Sequence, residues 1–114
     1  MTDRALVTEL RTLAENLARQ AGDRAVELRE QIILDIATKS STVDLVTEAD
    51  RQAEQLIVDG ILNVRREDAI VGEEGTSRDG TSGVRWVIDP IDGTTNFVYR
   101  IPAFGVSIAA EVGD

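Results

Sequence analysis

The chain has no cysteine and no histidine among its 114 residues, only two prolines, and few aromatics: one Trp, one Tyr and two Phe. Without cysteine there is no disulfide framework and no thiolate chemistry. Without histidine there is no imidazole base, no imidazole metal ligand and no triad of the usual kind, and the case for Zn²⁺ weakens. Acid–base chemistry falls instead to carboxylates, hydroxyls, lysine or water on a metal. Basic residues are the minority, 12 Lys and Arg against 21 Asp and Glu, for a net charge of −9. That balance argues against a nucleic-acid partner, which needs a basic face, and favours solubility and cations over an anionic membrane. No apolar run approaches the ~20 residues of a membrane span. The start, Met1-Thr-Asp-Arg-Ala-Leu, lacks the charged and apolar regions of a signal peptide. A soluble cytoplasmic protein is expected.

A chain of this length suits one modest domain that buries about two-thirds of its unfolded surface. Leu6, Leu10, Leu13, Leu17 and Ala21 recur at steps of four and three, which predicts an amphipathic helix over roughly residues 2–29. Gly22 is a weak point in it. The β-branched run Ile32-Ile33-Leu34-Asp35-Ile36 reads as a strand, and Lys39-Ser40-Ser41-Thr42 as a polar turn. A second helix is predicted from Thr47 to about Asn63, with Ala49, Ala53, Leu56, Ile57 and Ile61 on its apolar face. Thr47 and Asp50 fit its capping box. Ala69-Ile70-Val71 predicts a short buried strand ending at Gly72, and Gly75–Gly83 reads as a mobile loop. Arg85–Ile88 predicts a strand, followed by a short helix. Phe104–Val112 predicts another strand, with Val106, Ile108 and Ala110 on one face. No internal repeat and no linker interrupts the chain.

The most informative stretch is Trp86–Phe97, in which an apolar run feeds Asp89 and Asp92, with Pro90 between them and Gly93, Thr94 and Thr95 behind. A strand that ends in a rigid acidic turn and opens a helix N-terminus suits hard cations beside a phosphate, since free backbone N–H groups there accept an anion. Acidic residues also follow or flank other elements: Asp44 and Asp50 at the second helix, and Glu73 and Glu74 after the Ala69–Val71 strand. Ligands gather beyond the carboxyl ends of strands in open sheets. If the two strands are neighbours, Glu73, Asp89 and Asp92 converge on one small volume. Carboxylates so gathered repel unless cations separate them, and oxygen donors suit Mg²⁺ or Mn²⁺. Simpler roles exist for each residue. Asp-Pro-Ile-Asp-Gly also reads as a tight turn, Asp50 as a capping carboxylate, Glu73-Glu74 as a solvated turn, Lys39 as a surface residue, and Thr94-Thr95 as helix caps.

Asp89-Pro-Ile-Asp-Gly-Thr-Thr-Asn-Phe resembles the first signature of the inositol monophosphatase family, in the lithium-sensitive, Mg²⁺-dependent phosphatase superfamily. Gly72-Glu73-Glu74 and the stretch Lys39–Asp50 resemble its upstream motifs. The resemblance implies a metal ligand at Glu73 that also orients the attacking water, and a metal-bridging carboxylate at Asp89. It implies further ligands at the Ile91 carbonyl and Asp92. Gly93 and Thr94 would meet the substrate phosphate, with Glu73, Ile91 and Asp92 also touching substrate. Thr94 would pair with Asp50 to activate water, and Lys39 and Glu74 would support the site. Two or three Mg²⁺ ions, a small phosphorylated polyol (foremost inositol 1-phosphate) and a cytoplasmic homodimer are implied for the complete enzyme. Histidinol phosphate, fructose bisphosphate and phosphonucleotides are the alternatives within the superfamily. A non-catalytic acidic metal-binding or interaction module is the alternative outside it.

The family also has a later Trp-Asp motif, and this chain reaches Asp114 without one. The expectation is therefore the N-terminal part, residues 1–114, of a single phosphatase domain. The expected fold class is α/β (α+β), helices layered on a mixed sheet that is incomplete because the C-terminal half is absent. Such a piece is expected to be inactive alone and to expose a sheet edge and apolar faces that favour association.

Overall fold

The structure, a computed structural model, describes the backbone of residues 3–36, 42–92 and 105–113 and the side chains of 3–31, 48–90 and 105–113. Two helices, α1 (Arg4–Ile36) and α2 (Thr42–Val64), precede four strands: β1 (Ala69–Gly72), β2 (Ser77–Arg78), β3 (Val84–Asp92) and β4 (Gly105–Val112). The strands form one mixed sheet in the order β2-β1-β3-β4, with β1 and β3 parallel and the other pairs antiparallel. Both helices lie on one face of it. The expected layering of helices on a mixed sheet is what the chain adopts.

α1 begins at Asp3, whose side chain accepts the Ala5 amide at 3.0 Å, as an N-cap does. Its apolar stripe buries Leu10, Leu17, Ala21 and Ala25, and the helix passes Gly22 without a break. It also takes in Ile32–Ile36, where a strand was expected. An existing helix gains a hydrogen bond with each added residue. A few β-branched residues cost only a few tenths of a kcal/mol each and do not stop it. For the same reason α2 starts at Thr42, five residues before Thr47. The expected cap at Thr47 lies inside the helix.

The core joins Leu10 and Leu17 of α1, Ile57, Val58 and Ile61 of α2, and Ile70, Trp86 and Ile88 of the sheet. Val106, Ile108 and Ala110 of β4 pack against it as the alternation predicts. On the opposite face Val71 and Val87 are 42% and 37% exposed.

Parallel neighbours need a connection that returns to the starting end. Residues 73–83 make it: β2 doubles back along β1, and the chain then passes close beneath the start of β1 into β3. At Gly80 a Cβ would sit 2.4 Å from both the Ala69 nitrogen and the Glu67 carbonyl oxygen, so only glycine fits the crossing. The Glu67 carbonyl accepts the Thr81 and Ser82 amides at 2.8 and 3.1 Å. The segment expected to be a mobile loop thus contains a strand and is tied down by backbone hydrogen bonds.

Asp68 anchors this end of the sheet. It is 1% exposed and accepts Trp86 Nε1 at 2.8 Å, Ser82 Oγ at 2.6 Å and the Arg65 guanidinium. Arg65 in turn reaches Glu9 of α1 at 3.0 Å. Burial alone pushes the Asp68 carboxyl upward, but the hydrogen bonds from Arg65, Ser82 and Trp86 outweigh it and hold it below the usual carboxylate range. A depressed carboxylate stabilises the fold above its unfolded pKa and loses that contribution as the pH falls through its folded one. Asp68→Ala strands a buried indole N–H and a largely buried guanidinium. It should cost about 3–4 kcal/mol at pH 7, and the deficit should shrink as the pH drops below about 4. Urea unfolding at both pH values checks this, and a loss under about 1 kcal/mol at pH 7 would mean the network is ornamental.

Candidate active site

The register of the parallel pair positions the acidic residues. Gly72 lies level with Ile88, so Glu73, just past the end of β1, and Asp89, inside β3 where its pairing with β1 ends, follow side by side. The Glu73 amide donates to the Ile88 carbonyl at 3.1 Å and locks the turn to β3. Asp89 in turn lies opposite Ser107 of β4. Glu73, Asp89 and Ser107 line one shallow cavity of about 370 Å³ on the outer face of the sheet, above Val71, Val87 and Ala109. The two strands are the neighbours that convergence required.

The acidic segment of β3 differs from expectation. The strand does not stop at Ile88 in a turn but runs to Asp92. Its pairing to β4 shifts between Asp89, opposite Ser107, and Asp92, opposite Gly105, so β3 carries one extra residue there. Pro90 is fully buried in that stretch. Proline lacks the N–H a regular ladder requires and is accommodated at bulges, and bulges re-aim side chains next to functional sites.

Asp50 comes from α2. It lies two turns inside the helix, at its ninth residue, so its expected capping role is overturned. Instead it sits on the buried face, 8% exposed, and its Oδ1 has no hydrogen-bond partner. Desolvation and the negative charges of Glu74, Asp89, Glu73 and Glu54, in that order, push its pKa up to about 7. Asp50, Glu73, Glu74 and Asp89 therefore share one electrostatic neighbourhood, although they come from three elements. Among the described residues, no three carboxylates already stand at metal-ligand spacing.

Sequence reasoning missed Glu54, one helical turn beyond Asp50. It is 3% exposed and accepts the Glu74 amide at 3.0 Å, the Thr76 amide at 3.2 Å and the Thr76 hydroxyl at 2.7 Å. Gly72 makes room for it, since a Cβ there would lie 2.3 Å from Glu54 Oε1. A signal was present: Glu54 falls on the helix face of Ala53, Ile57 and Ile61, where a carboxylate needs partners. Ile91 and Asp92 belong to β3, but their side chains lie outside the described residues, as does that of Asp44 in α2. Lys39, Gly93, Thr94, Thr95 and the short helix expected after them also lie outside.

The sequence profile of the inositol monophosphatase family matches residues 6–113, and the chain belongs to that family. It is 43% identical over 118 aligned residues to Inositol-1-monophosphatase SuhB of Mycobacterium tuberculosis, which covers 91% of this chain and 41% of that protein. Histidinol-phosphatase of Chlorobaculum parvum is 42% identical over 100 residues, covering 88% and 38%. Nus factor SuhB of Salmonella typhimurium is 40% identical over 102 residues, covering 89% and 38%. Among solved structures, Mycobacterium tuberculosis SuhB matches with a TM-score of 0.75 at 42% identity, over 93% of this chain and 36% of that one. SaIMPase-II with inositol monophosphate bound matches with a TM-score of 0.71 at 36% identity, over 93% and 37%. The chain spans about 40% of the length of the curated relatives it matches.

A raised carboxylate pKa penalises the fold above its folded value, and the penalty fades as the pH falls toward the unfolded one. For Asp50 that window runs from about 7 down to 3.8. Asp50→Asn should therefore stabilise the metal-free protein at pH 8 by roughly 1–3 kcal/mol and leave it nearly unchanged at about pH 4. Denaturant unfolding in chelator at both pH values checks the difference, and an equal effect at both would remove the electrostatic explanation.

Proposed function

We propose that this chain is the N-terminal part of a Mg²⁺-dependent phosphomonoesterase domain that hydrolyses a small phosphorylated polyol, with inositol 1-phosphate as the foremost substrate. The observation that carries the proposal is the placement of Glu73 and Asp89 side by side where the parallel pairing of β1 and β3 ends, with the unpartnered Asp50 Oδ1 in the same acidic neighbourhood. This donor set is oxygen only, in a chain without His or Cys, which fits a hard divalent cation. An orphaned buried carboxylate oxygen among like charges fits a site whose neutralising partner is a cation.

Glu73 and Asp89 would hold the ions, joined by the Ile91 carbonyl and Asp92. Bound ions supply charge neutralisation at the phosphoryl oxygens and lower the pKa of an attacking water. Glu73, in the turn after β1, would orient the attacking water. Asp50 would act as the proton acceptor, through the Thr94 hydroxyl. By the family resemblance, Gly93 and Thr94 would meet the phosphate, and Lys39 and Glu74 would support the site. The same proposal carries lithium sensitivity and a cytoplasmic homodimer for the complete enzyme, and inactivity for these 114 residues alone.

Inositol 1-phosphate is favoured by the 43% identical inositol-1-monophosphatase and by the inositol monophosphate-bound neighbour. Histidinol phosphate is the rival, since a histidinol-phosphatase is 42% identical over a similar span. A non-catalytic interaction module is supported by one observation, the 40% identical relative named as a Nus factor.

Mg²⁺ titration by calorimetry tests the site without requiring turnover. Asp89→Asn should weaken binding at least about tenfold. Glu111→Gln, which removes only an exposed pair with Arg85, should leave it within about twofold. Equal binding by both variants would mean diffuse attraction to an acidic surface and would overturn the proposal.

A further inference from the structure

We propose that Glu54 is a positioning residue of this site: its buried carboxylate fixes the Gly72–Thr76 turn and thereby presents Glu73 beside Asp89. The inference rests on the metal-site reading above and adds a residue that reading does not use.

The hydrogen bonds of the turn support it. Every backbone N–H from Gly72 to Thr76 has an acceptor. Gly72 donates to the Thr76 carbonyl at 2.8 Å, Glu73 to Ile88 at 3.1 Å and Gly75 to Gly72 at 3.2 Å. The remaining two, Glu74 and Thr76, donate to Glu54 at 3.0 and 3.2 Å, and the Thr76 hydroxyl adds a third bond at 2.7 Å. Glu54 thus takes the two amides of the turn that no backbone carbonyl satisfies, one of them adjacent to Glu73. Both carboxylate oxygens are used, so the bonds fix an orientation as well as a distance. Bonds to an ionised acceptor are stronger and shorter than neutral ones. Because Glu54 is 3% exposed, water cannot readily replace it.

Glu54 and Asp50 stand one turn apart on α2, so a single rigid helix contributes Asp50 to the site directly and sets Glu73 through the turn. Gly72 completes the device, because any side chain there would occupy the space of the Glu54 carboxylate. Groups that orient metal ligands commonly change metal affinity by about 10–100-fold when removed.

The test is Mg²⁺ calorimetry on the 114-residue protein and its variants, with circular dichroism to confirm folding. Glu54→Gln keeps the shape but leaves one position unable to accept, and it should weaken Mg²⁺ about tenfold or more. Its effect should be non-additive with Glu73→Gln, since both act through the same ligand. Unchanged affinity in folded Glu54→Gln, or strict additivity, would show that Glu54 only stabilises the fold and would overturn the inference. If Glu54→Gln fails to fold, Thr76→Val removes one of the three bonds and leaves both amides. A loss of about threefold would support the inference, and no loss would overturn it. Asp89→Asn separates the two readings. If Asp89→Asn weakens Mg²⁺ while Glu54→Gln does not, the metal site stands and the positioning role falls. If Asp89→Asn binds as the unmodified protein does, the metal site falls and the positioning role with it.

Discussion

The parallel pairing of β1 with β3 is the constraint on which the rest depends. It fixes Gly72 level with Ile88 and so brings Glu73 and Asp89 together, though they are far apart in the chain. It also demands a return connection, which explains β2, the close crossing at Gly80 and the hydrogen bonds of Glu67 to residues 81 and 82. At the start of the pair, Asp68 ties Trp86 to Arg65 and through it to α1. At its end, Glu54 ties the turn to α2. One end of the pair is thus tied by a fully partnered carboxylate, and the other gathers the acidic residues of the proposed site, where open sheets favour ligands.

The two ends treat buried charge differently. Asp68 is fully partnered, and its donors hold it ionised against the cost of burial. Asp50 is not: one oxygen lacks a partner and its neighbours are carboxylates, so burial and repulsion both oppose its charge. A fold that satisfies one buried carboxylate so completely and leaves another facing like charge concentrates its electrostatic cost at the proposed site. Glu54 lies between these cases, deeply buried and satisfied by the turn that carries Glu73.

Much of this was legible in the chain. The apolar strands before Glu73 and Asp89 were readable from composition and the glycine at position 72. The inner face of β4 was readable from alternation, and the core stripe of α1 from its steps of three and four. Local signatures misled where cooperativity decided instead. Ile32–Ile36 looks like a strand yet extends α1, and Thr47–Asp50 looks like a cap yet lies inside α2. Asp-Pro-Ile-Asp looks like a turn but forms a bulged strand, because β4 is there to pair with it.

The sequence by itself determined the chemistry available: oxygen donors, a strongly negative balance, no imidazole or thiol, and acidic residues placed just after short apolar strands. Those follow from residue identity and local pattern. Tertiary structure decided which of the carboxylates meet, because strand neighbours and register arise from packing two helices across the sheet, and no local window contains that information. It also decided the roles of Glu54 and Asp68. The donors to Glu54 lie 20 and 22 positions away, and Ser82 and Trp86 lie 14 and 18 positions from Asp68, so a side chain that looks like an ordinary acid becomes a support only when folding brings those donors to it.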